Sequence, residues 1–268
     1  LEQSGRFLLG SPLFATTCLA TPALLSGHNP ALQERWLSAI AGGETRATLA
    51  FASGPGWDAH SVQTVARACT GGFNLSGCYA QVIDGAQADL LIVAARTPGS
   101  EGESGISLFA VDAATPGLER TALPTLDQTR RLARVELQNV FVSDAQLLCA
   151  PDQGWPVLRE SLQIAAVGLA AEQVGGAQQV LDLTLAYIAE RRQFSRTIAS
   201  FQAIKHRCAD MMVQVECARS AIYYAACVAQ EHLDPAGDKA VASELVMATA
   251  TAKIHASEAF FNCAAESI

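Results

Sequence analysis

Arginine, phenylalanine and glutamine side chains are concentrated at one predicted corner between two helices, in the stretch YIAERRQFSRTIASFQ, residues 187–202. Apolar residues recur at helical spacing before this stretch, a polar segment follows, and a second helical pattern begins at its end. Arg191, Phe194 and Gln202 place a guanidinium, an aromatic ring and a side-chain amide at this corner, a combination that can hold a phosphate or a planar ring. The same residues also fit a solvated helix end in which Phe194 packs the corner.

The stretch resembles the flavin-dependent acyl-CoA dehydrogenase family, whose hallmark is an Arg-x-x-Phe-Gly run followed by a Phe-Gln helix start. The matching residues are Arg191, Phe194, Ser195 in place of the glycine, Phe201 and Gln202. The flanking segments 169–191 and 205–226 are similar to the family's helices on either side of the motif. The resemblance implies FAD as cofactor, with Arg191, Phe194 and Gln202 as cofactor-binding residues.

The composition is that of a globular protein and excludes several kinds of partner. The chain has 268 residues, of which 50% are hydrophobic and 16% charged, and a formal net charge of -8. An acidic chain without a basic patch does not favour nucleic acid, and no apolar run is long enough to favour a membrane span. A cytoplasmic protein is the simplest interpretation. The eight cysteines show no C-x-x-C pair or zinc-ligand spacing, so no metal is expected.

The pattern of the first 44 residues is helical, with a break at residues 26–30, where Asn29 can cap a helix and Pro30 occupies its first turn. Residues 32–44 have apolar side chains at helical spacing and stop at two glycines. By the resemblance, residues 1–44 are the remnant of an N-terminal helical domain. Most of that domain is expected to precede residue 1.

Residues 45–150 show a strand pattern without intervening helices. Each predicted strand is rich in β-formers and bounded by turn residues; the strands cover residues 48–52, 62–68, 73–83, 89–96, 105–112 and 134–142. Gly71-Gly72 is a hairpin signal. We therefore expect a central antiparallel β-barrel or sandwich, as in the middle domain of the family.

Residues 151–268 are predicted to form an up-down helical bundle. One helix runs to Arg191 and is interrupted by Gly168 and Gly175-Gly176, which allow backbones to approach closely. A second runs from about 201 to 232, and a third covers 239–268 after a turn at 233–238. The family's fourth helix, with a Gln-x-x-Gly-Gly run, and the tail are expected after Ile268. The fold class is thus α+β, acyl-CoA dehydrogenase-like.

The predicted β-domain lacks the residues with which the family holds the flavin ring. Ala52, Ser53 and Gly54 stand where the family has Thr-Glu-Pro, and Gln81 and Ile83 stand where it has the Trp and Thr of a Trp-x-Thr. A lysine of the family is replaced by Tyr79. An amide and a branched aliphatic neither stack on the ring nor satisfy its polar edge. We infer that this β-domain does not hold a flavin of its own.

No catalytic base is assigned. The family removes a proton from the carbon α to a thioester with a glutamate at one of two places. The first corresponds to Ala165, and the second lies past Ile268. Glu160 and Glu172 flank the first position, but each is more than one helical turn away from it.

The chain keeps the motif residues that, in the family, contact a flavin bound mainly by the neighbouring subunit. It lacks the residues that would hold the ring of its own flavin and the glutamate that would act as base. In this it resembles the non-catalytic subunit of heterotetrameric acyl-CoA dehydrogenases of actinobacteria, which act on steroid side-chain CoA thioesters. The expected partners are a homologous catalytic subunit, with FAD shared at the interface, an acyl-CoA and an electron-transferring flavoprotein. The alternatives are a self-sufficient homotetrameric acyl-CoA dehydrogenase, with its base after Ile268, and a flavin-free structural protein on the same fold.

Overall fold

The computed structural model describes residues 1–234, 237 and 241–268, which form two compact units. One unit contains Gly10–Leu162, and the other contains Leu1–Leu9 together with Gln163–Ile268. Helices and a sheet segregate along the chain, so the predicted α+β class is confirmed. The division into domains at residues 44/45 and 150/151 stays a prediction.

Short helices open the chain and are followed by a longer one. The elements are α1 (Glu2–Arg6), a π-helix (Ala15–Ala20), α2 (Thr21–Ser26) and α3 (Pro30–Ala41). The predicted break is present, because the Asn29 side chain accepts a hydrogen bond from the Leu32 amide at 3.3 Å and Pro30 begins α3. The helix ends at Ala41 with Gly42 as its C-cap, as the predicted stop at the two glycines requires. Gly43 follows with φ +75°, a conformation that favours glycine.

Seven strands form the main sheet of the Gly10–Leu162 unit. They are β1 (Ala47–Ala50), β2 (Val65–Cys69), β3 (Gly72–Ile83), β4 (Leu90–Arg96), β5 (Ile106–Asp112), β6 (Leu118–Leu123) and β7 (Leu132–Ser143). Their order is β1-β4-β2-β3-β7-β6, with β5 also paired to β4. As predicted, Gly71 and Gly72 close a hairpin, in which Cys69 pairs with Gly72. Buried apolar side chains from β1 to β5 and β7 pack together in one core.

The sheet is mixed, which corrects the prediction of a purely antiparallel one. Strand β1 pairs in parallel with β4 over residues 47–50 and 90–93, and β2 meets β4 in parallel at Val65 and Arg96. Parallel neighbours need a long crossover. Between β1 and β4 the crossover contains the β2-β3 hairpin, and between β2 and β4 it contains β3. The period-2 pattern of the sequence does not reveal the direction in which strands pair.

Strand β6 was not predicted from the sequence. Its residues LERTAL lack a clean alternation of apolar and polar side chains, and none of them is buried. Pairing with β7, antiparallel from Leu118–Leu137 to Leu123–Leu132, makes it a strand at the edge of the sheet. Edge strands carry charged residues without penalty, so their sequences give a weak signal.

The second unit is built on α4 (Gly154–Glu190), α5 (Gln202–Leu233) and α6 (Ala242–Glu266). Strands β8 (Arg192–Gln193) and β9 (Arg196–Thr197) connect the first two helices. Residues 207, 214 and 224 of α5 contact residues 266, 262 and 244 of α6, so these two helices are antiparallel. Residues 173 and 176 of α4 contact residues 257 and 260 of α6, so α4 runs parallel to α6 and antiparallel to α5. This is the predicted up-down arrangement. The predicted turn at 233–238 and the start of the third helix at 239 lie largely outside the described residues.

Two glycines of α4 let neighbouring elements approach closely, as predicted. A Cβ at Gly175 would lie 1.8 Å from the Glu2 carbonyl oxygen, and one at Gly176 would lie 2.8 Å from the Phe260 ring. Helix α1 is further held by the Arg6–Asp182 ion pair at 2.7 Å. Small residues therefore fix where α1 and α6 lie against α4.

Candidate functional site

A two-residue hairpin at the end of α4 forms the predicted corner. Arg192 pairs with Thr197 and Gln193 with Arg196, leaving Phe194 and Ser195 at the tip. Both tip residues are left-handed, with φ of 52° and 65°. Positive φ at both central positions is the type I′ turn that matches the twist of a β-hairpin. Since this turn favours Asn-Gly, a phenylalanine and a serine there hold backbone strain of about 1–2 kcal/mol each.

The hairpin presents an aromatic and cationic cluster. The Phe194 side chain is 87% exposed, and its ring meets Phe201 edge-to-face at 6.3 Å between centroids. The Arg196 guanidinium lies 3.9 Å from the centroid of the same Phe201 ring. The Phe201 ring therefore contacts both Arg196 and Phe194, and the Phe194 ring is exposed to solvent. Sequence reasoning missed Arg196, although it directly follows the motif, because nothing in its spacing places it on Phe201.

The three predicted cofactor-binding residues lie on this corner. Arg191 is the first residue after α4, its carbonyl accepts the Ile198 amide at 2.8 Å, and its side chain is exposed. Gln202 begins α5 and is also exposed. The side chains of Arg191, Phe194 and Gln202 are thus all exposed to solvent. Their role toward FAD remains a prediction.

The positions matched to the family's flavin-facing residues line one pocket in the Gly10–Leu162 unit. The pocket has a volume of about 180 Å³, and its lining includes Ala52, Gly54, Gln81, Ile83 and Trp57. The first two come from the loop after β1 and the next two from β3. The structure therefore brings together residues that the sequence separates by about thirty positions.

Trp57 is an aromatic residue of this pocket that sequence reasoning did not identify. Its indole is 59% exposed and meets the Phe51 ring edge-to-face at 5.7 Å between centroids. It follows the loop segment Ser53–Gly56, so no strand or helix period marks it. The pocket thus carries an aromatic side chain from a different element than the family's Trp-x-Thr.

Polar groups in and beside this pocket fit a flavin ring poorly. Ala52 and Ile83 carry no hydroxyl, and the Ser53 Oγ is buried without a hydrogen bond to any residue that the structure describes. Tyr79, at the family's lysine position, is fully buried and donates its hydroxyl to the Ala94 carbonyl at 2.8 Å. Burial raises the pKa of the Tyr79 hydroxyl well above its usual value, so this group is neutral and structural.

The candidate bases are not placed for proton abstraction at the family's first position. Ala165 is 2% exposed and carries no carboxylate. The Glu160 carboxylate accepts the Ser26 hydroxyl at 2.5 Å. Glu172 lies two turns beyond Ala165, where its backbone carbonyl packs against Gly5. The assignment of no catalytic residue in this chain remains a prediction.

Two further searches of the described residues found neither kind of site. No group of three or more His, Cys, Asp or Glu side chains in the described part of the chain could hold a metal ion. Among the described helices, none is both long and apolar enough to cross a membrane.

Comparison with known proteins identifies the fold and the family. Residues 152–268 match the model of the acyl-CoA dehydrogenase C-terminal domain. The short-chain specific acyl-CoA dehydrogenase of Megasphaera elsdenii is 30% identical over 251 residues, 89% of this chain and 64% of that protein. A crystal structure of an FAD-dependent dehydrogenase superposes with a TM-score of 0.88 at 28% identity, over 100% of this chain and 70% of the other.

A heteromeric assembly is among the similar structures. The ChsE4-ChsE5 complex from Mycobacterium tuberculosis matches with a TM-score of 0.81 and 28% identity, over 99% of this chain and 66% of that chain. The fold is thus that of acyl-CoA dehydrogenases, and the chain belongs to the acyl-CoA dehydrogenase family. It spans less than two thirds of the length of the curated relatives that it matches.

FAD is the cofactor that membership of this family implies. The hairpin after α4 fits FAD better than the pocket lined by Ala52 and Gln81. The exposed ring of Phe194 and the free donors of Arg191 and Gln202 suit the adenine and pyrophosphate of FAD. The pocket at Ala52 and Gln81 is small and offers no hydroxyl from positions 52 or 83. The hairpin is therefore the better candidate for a flavin contact.

Proposed function

We propose that this chain is a non-catalytic subunit of an FAD-dependent acyl-CoA dehydrogenase and completes the flavin site of a homologous catalytic subunit. The observation that carries the proposal is the strained hairpin tip with Phe194 87% exposed. A bulky residue with positive φ costs free energy, and such strain is characteristic of functional positions. An exposed ring at this position is best accounted for by a ligand or partner that covers it.

The charge of the corner supports contact with a phosphate-containing cofactor. Arg191, Arg192 and Arg196 lie within six residues of a chain whose net charge is -8. The planar guanidinium binds phosphate oxygens in pairs, and Arg191 carries no ion pair among the described residues. In this proposal Arg191 and Gln202 donate hydrogen bonds to the pyrophosphate, and Phe194 packs on the adenine side.

The proposed reaction is the α,β-dehydrogenation of an acyl-CoA thioester. When bound, FAD supplies the hydride acceptor for such a reaction. With Ala165 at the family's base position, the proton from the α carbon goes to a carboxylate of the catalytic partner. The residues of this chain bind and orient the cofactor and exclude water from it.

The finer assignments rest on the resemblance. We propose a role in lipid β-oxidation in the cytoplasm, with an electron-transferring flavoprotein as electron acceptor. A steroid side-chain CoA is the proposed substrate, in a heterotetramer like those of actinobacteria. The match to the ChsE4-ChsE5 complex supports the heteromeric part of this proposal.

A self-sufficient homotetramer is the second candidate, and Trp57 favours it. The edge-to-face pair of Trp57 and Phe51 gives the pocket beside Gln81 an aromatic wall that a planar ring could contact. In that case each protomer holds its own FAD and supplies its own catalytic base. A flavin-free structural protein is the third candidate.

Flavin stoichiometry separates the three candidates. The chain is expressed alone and with a homologous catalytic subunit, and bound FAD is measured by absorbance after gel filtration. FAD only in the complex, at about half per protomer, is expected. One FAD per protomer in the chain alone refutes the non-catalytic role, and no FAD in either preparation supports the structural protein.

A pair of matched variants tests the hairpin itself. Arg191→Gln is expected to weaken FAD retention by the complex at least tenfold, because one charge-assisted phosphate contact contributes about 1.5–3 kcal/mol. Arg192→Gln is the control, since it removes the same charge from the neighbouring exposed residue. Equal retention by both variants and the unmodified complex would contradict the assigned contact.

A further inference from the structure

A second pocket, of about 390 Å³, lies in the Gly10–Leu162 unit, where the turn after β3 meets the loop between β6 and β7. Its polar lining comes from Asp84, Gln87, Thr125, Gln128 and Arg131. Its volume is in the range of small-molecule sites, about 300–1,000 Å³. None of the residues predicted to contact FAD lines it.

Asp84 is the buried polar group of this pocket. Only 6% of the residue is exposed, and its φ is +52°. Its backbone is engaged, because its amide donates to the Arg131 carbonyl at 2.8 Å and its carbonyl accepts the Gln87 amide at 3.0 Å. Its carboxylate, in contrast, accepts no hydrogen bond from any residue that the structure describes. Its oxygens are not among the fully buried side-chain atoms that lack a partner, so they open onto the pocket, where they are accessible to a donor from a ligand.

The walls of the pocket are held by hydrogen bonds, so it is a preformed cavity. Arg120 donates to the Ala88 carbonyl at 2.6 Å and fixes the turn that carries Asp84. On the opposite side, Gln128 donates to the Thr125 carbonyl at 2.7 Å within the β6-β7 loop. Neither wall needs a ligand to keep its shape.

Arg131 places a cation near the carboxylate. Its guanidinium donates to the Gln87 side-chain oxygen at 2.9 Å, and more of its N–H groups remain for an acceptor. The positive field of Arg131 and Arg130 opposes the desolvation that raises the pKa of Asp84. The lining of the pocket therefore includes a carboxylate acceptor and a cationic donor.

These charges select one chemical class of ligand. A small cation is repelled by Arg131 and Arg130, and an anion is repelled by Asp84. A neutral group with an N–H next to a C=O satisfies both sides at once. We propose that this pocket binds the lactam or primary-amide edge of a small neutral ligand, its N–H donated to Asp84 and its carbonyl oxygen accepting from Arg131. This proposal is independent of the proposed function, since it uses neither the hairpin nor a partner subunit.

Uracil is a suitable probe because its lactam edge carries this donor and acceptor, and 1,3-dimethyluracil is its matched control because it has no N–H. Binding is followed by chemical shifts of the backbone amides of the purified chain. We expect uracil to shift the amides of residues 84–88 and 123–132, and dimethyluracil to bind at least tenfold more weakly. Equal affinity of the two compounds, or shifts confined to other residues, overturns the proposal.

Variants test the two polar groups. Asp84→Asn keeps the shape and tolerates positive φ, but replaces a charged acceptor by a neutral one, so uracil should bind about tenfold more weakly. Arg131→Gln should weaken it similarly, whereas Glu119→Gln, which removes an exposed carboxylate on β6, should leave it unchanged. Undiminished uracil binding by folded Asp84→Asn refutes the site.

Competition by riboflavin distinguishes two sources of the lactam edge. If riboflavin displaces uracil, the pocket accepts the lactam edge of a flavin. If riboflavin does not displace it, the site takes a separate heterocycle or amide. Both results support the pocket as a lactam site.

Discussion

Arg96 is a buried arginine whose removal should destabilise the Gly10–Leu162 unit. Only 8% of it is exposed, and it has no ion pair within the described part of the chain. Its guanidinium instead donates to the carbonyls of Val62 and Ala59, both at 2.6 Å, and of Ser100 and Gly102, both at 3.0 Å. One side chain thus joins the segment before β2 to the loop between β4 and β5.

Arg96→Met keeps the length of the side chain and removes every donor. Four backbone carbonyls then lose their charge-assisted hydrogen bonds, each of which contributes about 1.5–3 kcal/mol. Water can reach some of these carbonyls, and removal of a buried charge recovers desolvation free energy. We therefore expect a net loss of about 3 kcal/mol in the free energy of unfolding, toward the upper end of the usual range for single mutations.

Urea unfolding followed by tryptophan fluorescence measures this loss. Trp36, Trp57 and Trp155 all lie in the Gly10–Leu162 unit, so the signal reports that unit. Arg134→Met is the control, because Arg134 forms an exposed pair with Glu136 that contributes little. A loss below about 1 kcal/mol for Arg96→Met, equal to that of the control, would refute the role of Arg96 in joining the two loops.

Four further predictions follow from single contacts. Tyr79→Phe leaves a buried carbonyl without its donor and should cost about 1–3 kcal/mol in the same urea assay. Gly175→Ala places a methyl group 1.8 Å from the Glu2 carbonyl oxygen and should cost about 1–3 kcal/mol in thermal unfolding of the helical unit. Ser195→Gly removes strain at φ +65° and should raise the melting temperature of the same unit slightly. For Asp84, whose pKa burial raises, the stability that its carboxyl contributes should be full below about pH 3.9 and be lost as pH rises through the folded-state pKa, a loss that Asp84→Asn should abolish.

Each of these predictions has a result that would contradict it. An unchanged urea midpoint for Tyr79→Phe would mean that water replaces the donor, and an unchanged melting temperature for Gly175→Ala would mean that α1 does not pack on α4. A lower melting temperature for Ser195→Gly would show that the loss of the side chain outweighs the relief of strain. Parallel pH profiles of unfolding for Asp84→Asn and the unmodified chain would exclude a raised pKa.

The sequence predicted the elements of the fold better than their pairing. Helix starts and stops at Asn29 and at the end of α4 were predicted within a few residues, because capping and periodicity are local properties. Strands β1 to β5 and β7 were also found, whereas the polar edge strand β6 was missed. The parallel pairing of β1 with β4 was not predicted, since it depends on a crossover and not on residue type.

For the candidate site as well, local features were predictable from the sequence and contacts between distant residues were not. The sequence by itself determined the motif, with Arg191, Phe194 and Gln202 within twelve residues of one another. Side chains so close along the chain share a corner whatever the rest of the fold does. The sequence also led to the prediction that positions 52, 81 and 83 lack the family's flavin-facing residues.

Only the tertiary structure decided which distant residues meet. It placed Arg196 on Phe201, brought Trp57 to the pocket beside Gln81, and buried Asp84 beside a cavity. These contacts depend on loop conformation and on the register of strands that are far apart in sequence. Burial and the field of neighbouring charges are properties of the folded surroundings, so no local pattern in the sequence encodes them.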